Sequence, residues 1–287
     1  MLRHFSFQPI HGRDRKILAY QALLHTGYAD LFYGNRDAAS LVMVDNWLLY
    51  DFEKLTGGLP AFMECTRETL MSGFTSLLPR SAVIMIHESV QPDRAVVAAC
   101  RKLKELGYRI ALGNVLDTNA VRPLLEMADY IQLDFQVFSG QERSMRCAFM
   151  QNTGAQRIAM RVETPEQVTA AFDEGFDLVQ GSCLGGFLAF AKDRDRVHPL
   201  RCLGILDKLA GAASSIDEFA YWVGQDTSLE ARIKHAAGWI AGGAGGHSTH
   251  GALELIGRSG LRKVLKLAMC ATLEHRLQVE PILAESA

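Results

Sequence analysis

Glu64, His87 and Glu88 are the residue types that move protons, and each stands at the end of a short apolar run. Two carboxylates flanking an imidazole are a sufficient set for general acid–base chemistry if the fold brings them together. Other runs end on Gln21, Gly113, Asn114, Asp134, Glu163 and Gln180. Amides and glycine are prominent in this set, and a neutral amide offers a ligand hydrogen bonds without charge. Two further patterns carry less. His247-x-x-His250 has no third ligand beside it and is expected to be a pair of solvated polar residues. Gly242–Gly246 lacks the Lys-Ser/Thr pair of a phosphate-binding loop and is expected to be a flexible connection.

The elements that must position these residues alternate. The apolar runs Ile17–Leu24, Ala61–Glu64, Ala82–Ile86, Arg109–Leu112, Tyr130–Leu133, Arg157–Val162 and Leu178–Gln180 predict strands. Helical periodicity is read between several of them: over Asp37–Tyr50, over Pro92–Leu106 with Pro92 in the first turn, and over Val121–Met127. A further helix starts at the capping box Thr164-Pro165-Glu166-Gln167. On the first helix, Asp45 is expected at the surface and Trp47 in the core. Repeated strand–helix units with buried strands predict a parallel sheet covered by helices, and this many units favour a closed TIM-like (β/α) barrel. In such a barrel the strand C-terminal ends build the site. After the charged run Lys192–Arg196 the pattern changes to helix alone, with capping boxes at Ser215-x-x-Glu218 and Thr227-x-x-Glu230, then helices over Ala252–Ile256 and Leu261–Leu273. The expected organisation is an α/β barrel over residues 1–192, a connector over 193–198 and a smaller all-α domain over 199–287.

Composition sets the class. The chain has 287 residues, 48% hydrophobic and 22% charged, with a formal net charge of −2. That is an ordinary globular balance, with no field that would favour nucleic acid or an anionic membrane. Its six cysteines are scattered singly, with no C-x-x-C pair, as in a reducing compartment. Met1–Phe5 lacks the apolar run of a signal peptide, and no segment approaches the roughly 18 apolar residues of a membrane span. A cytoplasmic protein is expected.

Short motifs then place the chain beside a known family. Gln8-Pro9-Ile10 resembles the opening strand of the EAL domain, the bacterial domain that hydrolyses cyclic di-GMP, and Ala19–Leu24 resembles its G-Y-E-A-L-L segment with Gln21 in place of Glu. Phe62–Thr66 resembles F-V-N-L-S, with Glu64 for Asn. Ile84–Ser89 resembles L-E-L-T-E-S, with Met85 for the first Glu and Glu88 for the second. Leu103–Leu112 follows the family pattern closely, but Gly113-Asn114 replaces the paired acids that come next. Ile131–Asp134 resembles L-K-I-D, with Gln132 for Lys and Asp134 retained. Met160–Thr164 resembles E-G-V-E-T, with Met160 for the ligand Glu and Glu163 retained. Gln180-Gly181 keeps the closing Q-G. The resemblance covers about residues 3–190. The helical part resembles an HDOD domain through Ile216–Phe219 to Trp239-Ile240 and through Ala252–Gly257 with Leu261–Ala268, although it is short for a complete one.

The family's chemistry needs two hard metals held by oxygen ligands. Of the positions the resemblance assigns to it, Glu64, Glu88 and Gln180 are too few for two metals, and Met85 and Met160 bring only thioether sulfur, which packs in cores better than it binds magnesium. The expectation is therefore a degenerate phosphodiesterase with no catalytic residue, no metal and no cofactor, working as an EAL–HDOD signalling protein through a protein partner. Two alternatives stand beside it. One is a non-hydrolysing cyclic di-GMP receptor, binding weakly through His25, Glu64 and Gln180. The other is a barrel enzyme that uses Glu64, His87 and Glu88. The resemblance also implies a homodimer. Glu88 and Glu163 are expected to have turned to hydrogen bonds with loop backbone or a neighbouring arginine.

Overall fold

The computed structural model describes residues 3–25, 36–115, 121–186, 188–192, 197–211, 214–242 and 246–285. Within them the strands are β1 (Arg3–His11), β2 (Ile17–His25), β3 (Ala61–Cys65), β4 (Ala82–Ile86), β5 (Arg109–Leu112), β6 (Tyr130–Asp134), β7 (Gln156–Met160), β8 (Leu178–Val179) and β9 (Leu188–Lys192). From β2 to β8 neighbours run parallel in chain order. β1 is antiparallel to both β2 and β8 and so closes an eight-stranded barrel. β9 pairs outside the circuit, against the first half of β1.

The helices on the outside of the barrel are α1 (Arg36–Leu49), α2 (Phe52–Leu55), α3 (Arg67–Ser72), α4 (Arg94–Glu105), α5 (Arg122–Leu125), α6 (Gly140–Gln151) and α7 (Pro165–Asp173). Helix α4 shows why such segments dock: Val96, Cys100 and Leu103 recur along one stripe and are buried. The alternation expected from the sequence is therefore present, with differences at the ends. Pro92 lies before the helix it was expected to open; Asp93 caps α4, accepting from the backbone N–H groups of Ala95 and Val96. β7 stops at Met160, because Arg161 turns into the left-handed region at φ 59°. Helix α6 and strand β9 were not foreseen, although Ser139 and Glu142 form a complete capping box at the start of α6.

Beyond β9 the described residues are helical: α8 (Pro199–Ala210), α9 (Ile216–Gly224), α10 (Thr227–Ile240) and α11 (Thr249–Glu285), the last broken at Gly257, φ 60°. The break divides it as the sequence expected. The cap of α10 is Asp226, which accepts from Leu229 N–H, and not Thr227 as read from the sequence. Glu230 instead binds Thr249 and Lys234. Residues 193–196 of the expected connector and 243–245 of the glycine loop lie outside the described residues.

These helices pack on the flank of the barrel at α1 and at the turn 73–77, and one hydrophobic cluster runs through both regions, from Trp47 to Ala236 and Leu265. Polar groups fix the contact. The carboxylate of Asp45 holds the guanidinium of Arg232 at 2.7 and 2.8 Å, both side chains at 1% exposure or less. His235 donates from Nδ1 to the carbonyl of Leu48 at 2.8 Å, and Lys263 Nζ donates to Ser76 Oγ at 2.8 Å. The surface position expected for Asp45 is thus corrected: a charge on a helix reads as solvated until a buried partner from a distant segment is known. Among the described residues no helix is long and apolar enough to cross a membrane.

Candidate functional site at the barrel mouth

Period-two alternation along the strands builds the barrel interior in layers. A lower layer is apolar, with Phe62, Val83, Ala111, Tyr130 and Ile158 in one buried cluster. Two residues further along the same strands stand Gln21 after Ala19, Glu64 after Phe62, Gly113 after Ala111, Gln132 after Tyr130 and Gln180 after Leu178. The residues expected at the site therefore share one end of the barrel, above an apolar floor. Gly181, which follows Gln180, is required there: a Cβ would lie 1.7 Å from the carbonyl oxygen of Val162.

The centre of the mouth is a ring of amides. Gln8 and Gln21 are direct partners in the β1–β2 ladder. Gln180 Nε2 donates to Gln8 Oε1 at 2.7 Å and to Gln21 Oε1 at 2.8 Å, and Gln132 Nε2 reaches Gln21 Oε1 at 3.4 Å. Gln132 is 1% exposed, Gln180 4% and Gln21 6%. Neutral amides pair with one another here in part, where buried charges would each need a counter-ion. The amide oxygens of Gln132 and Gln180 have no protein partner. Gln8 was not singled out as a site residue. Only the antiparallel register of β1 on β2 brings it into the ring.

Beside the ring Met85 is 2% exposed, and its thioether lies 3.6–3.7 Å from where a Cβ on Gly113 would be. Methionine thus fills the space over the glycine, so an apolar side chain covers two adjacent positions where the resemblance expects acids. Met160 stands beside Asp134 in the β6–β7 register and is partly buried.

The acids of the mouth are paired. Asp134 Oδ2 binds Arg161 Nη1 at 2.8 Å, and its Oδ1 accepts from the N–H of Gln136. Arg161 holds this place with a left-handed backbone, at a position where the resembling motif has glycine. Glu64 lies 3.7 Å from Arg36 Nη1 and 3.8 Å from His87 Nε2. Arg36 also donates to that same ring nitrogen, while Nδ1 faces Ser89. Glu88 takes a different direction and accepts from the side-chain amide of Asn114. The acid–base trio is therefore brought together only in part: Glu64 and His87 meet around Arg36, and Glu88 is on another contact. Glu163 is exposed, and its backbone N–H donates to Gln167 Oε1 at 2.7 Å. The side chain of His25 and the loop residues 116–119 lie outside the described residues. Arg36 and Arg161 escaped the sequence reading because a cation beside a strand end has no signature of its own.

A pair of divalent metals does not fit this donor set. It presents amides, a thioether and acids turned to other partners, Asp134 and Glu64 to arginines and Glu88 to the Asn114 amide, and no group of three or more His, Cys, Asp or Glu converges among the described residues. Away from the mouth, His250 lies 3.2 Å from Asp217 and 3.8 Å from Glu254, in salt-bridge rather than metal geometry.

No protein-family model matches the chain. It is 26% identical over 235 residues to the uncharacterized protein YuxH of Bacillus subtilis, covering 79% of this chain and 57% of that one. It is 26% identical over 183 residues to the cyclic di-GMP phosphodiesterase CdgJ of Vibrio cholerae, covering 61% and 42%. The chain thus spans about half the length of the curated relatives it matches. Among solved structures, the YkuI protein of Bacillus subtilis, with an EAL domain and in complex with cyclic di-GMP and calcium, superposes with a TM-score of 0.55 at 16% identity, covering 77% of this chain and 73% of that one. The closed barrel and this superposition lead to one conclusion about architecture: the chain carries the fold of the EAL-domain proteins.

Proposed function

We propose that this chain is a non-hydrolysing protein of cyclic di-GMP signalling, in which the EAL-type barrel (residues 1–192) is a scaffold and an HDOD-like helical part (199–287) makes contact with a protein partner. The observation that carries the reading is the amide ring of Gln8, Gln21, Gln132 and Gln180. In-line attack on a phosphodiester needs an activated water and a sink for phosphate charge. A neutral ring with Met85 packed beside it supplies neither. Incubation of the protein with cyclic di-GMP and magnesium or manganese tests this: no linear product is expected, and metal-dependent turnover would overturn it.

One observation favours a second reading, that of a cyclic di-GMP receptor. The partnerless oxygens of Gln132 and Gln180 are buried acceptors beneath the mouth, and would meet the N–H edge of a base once their amides turn toward it. Calorimetric titration with the dinucleotide separates the two. Saturable binding lost in Gln180→Leu supports a receptor, and absence of heat leaves the contact protein.

A further inference from the structure

We infer that the helical region positions the barrel mouth: the buried pair Asp45–Arg232 sets the placement of α1, and α1 in turn holds Arg36 against His87 and Glu64. Asp45 and Arg232 are on this account positioning residues. The inference rests on the reading of the mouth as the functional site. It goes beyond that reading by making the helical region part of the site's construction.

Helix α1 is covered on both sides. Ala38 and every residue from Ser40 to Leu48 are buried. At about 100° per residue, Arg36 and Ser40 share one face and Asp45 stands on the opposite one. On the barrel side, Ser40 Oγ donates to the carbonyl of Glu64 at 2.9 Å, and Arg36 reaches the Glu64 carboxylate at 3.7 Å and His87 Nε2. On the other side, Asp45 holds Arg232 at 2.7 and 2.8 Å and the carbonyl of Leu48 accepts from His235. Apolar packing makes the helix dock but tolerates sliding along its axis. Directional polar contacts fix its register. A buried ion pair is a weak source of stability, and register is its best-attested use. Arg36 is sensitive to that register. Its side chain is 61% exposed, so little packing holds it, and it stands where its stem is placed. That stem lies about 14 Å along the helix from Asp45.

The ring of His87 reports where Arg36 is. A guanidinium has donors and no acceptor, so Nε2, which Arg36 faces, carries the lone pair and Nδ1 carries the proton. Nδ1 then donates to Ser89 Oγ at 2.7 Å. A second arrangement stands ready if Arg36 withdraws. Nε2–H would turn to Glu64, 3.8 Å away, and Nδ1 would accept from the backbone N–H of Ser89 at 3.0 Å. With Arg36 in place the mouth therefore presents a cation over a neutral imidazole. Without it the mouth presents an acid–imidazole pair. The placement of α1 decides between them, and the helical region fixes that placement.

The test is nitrogen-15 NMR of the full chain labelled at histidine, without nucleotide, at about pH 8, where an ordinary imidazole is neutral. His87→Gln assigns the ring. The parent should show a protonated Nδ1 and a bare Nε2, and Arg36→Met should exchange the two. Asp45→Leu with Arg232→Met keeps the interface filled with apolar groups. It should shift both signals in the direction of Arg36→Met while urea unfolding stays a single cooperative transition. His235→Leu, which removes one hydrogen bond to the end of α1, should produce a smaller shift of the same sign. Parent signals in both interface variants would overturn the inference, because a pair that only stabilised the fold would leave the ring as it was. A parent ring protonated at Nε2 would overturn it too. If the double variant does not unfold cooperatively, His235→Leu decides alone. Turnover of cyclic di-GMP, or a failure to bind it, would sink the functional readings and leave these signals unchanged, so the two failures are distinguishable.

Discussion

Asp45 and Arg232, 187 residues apart in the chain and on different helices, form a two-point ion pair with no solvent exposure to speak of. It joins the barrel to the helical region, and Ser228 accepts from the remaining face of the guanidinium. Each charge is tolerable only because the other is present. Asp45→Ala or Arg232→Ala should each cost about 3–5 kcal/mol in urea unfolding. Replacing both, as in Asp45→Leu with Arg232→Met, should cost clearly less than the sum. Strict additivity would show that the pair is not coupled.

Gln21→Glu restores the acid that the resembling motif carries, but into a ring of amides. Without a cation beside it, the new carboxyl should titrate above the ordinary range. Its folded pKa then exceeds its unfolded one, so the variant should match the parent in acid and fall behind as the pH rises through that pKa. A loss of about 1–3 kcal/mol at pH 8 that shrinks towards pH 4 is expected in denaturant titrations. A loss independent of pH would place the carboxylate in solvent.

Arg161 combines a strained backbone with an ion pair to Asp134. Arg161→Ala keeps the strain and loses the pair, whereas Arg161→Gly loses the pair and releases the strain. Arg161→Gly should therefore be the more stable of the two by about 1 kcal/mol, measured as the difference in urea midpoint. The reverse order would mean that the left-handed turn costs nothing here.

Burial holds the His11 imidazole below its ordinary pKa, and its Nδ1 has no protein partner. The unfolded chain takes up the proton first, so the stabilising neutral form is fully present above about pH 6.5 and its advantage is lost as the pH falls below that value. Stability should decline there by at most about 1.4 kcal/mol per pH unit from this group. A His11→Asn variant should lack that component. An unchanged pH profile in the variant would assign the acid sensitivity elsewhere.

Burial also pushes the thiols of Cys100, Cys147 and Cys202 up to about 11, and that of Cys65 higher still. Thiolate is the reactive form. Iodoacetamide at pH 8 should modify exposed Cys270 in the native protein and leave these four until denaturant is added, as read by mass spectrometry.

The order of strands and helices was legible in the chain because burial imposes its own period. Unbroken apolar runs such as Ala82–Ile86 suit a strand covered on both faces, and the stripe Val96, Cys100, Leu103 suits a helix on one. The same period put Gln21, Glu64, Gly113 and Gln180 at one end of a barrel, while Gln132 was marked only by the resemblance of Ile131–Asp134 to a family motif. Tertiary structure decided the partners. Gln8 enters the amide ring through an antiparallel register, Arg161 reaches Asp134 through a left-handed turn, and Asp45 is buried because a helix near the other end of the chain brings Arg232 to it. These are contacts between distant segments or off-pattern backbones, and local sequence carries periodicity and capacity but not which distant group will meet which.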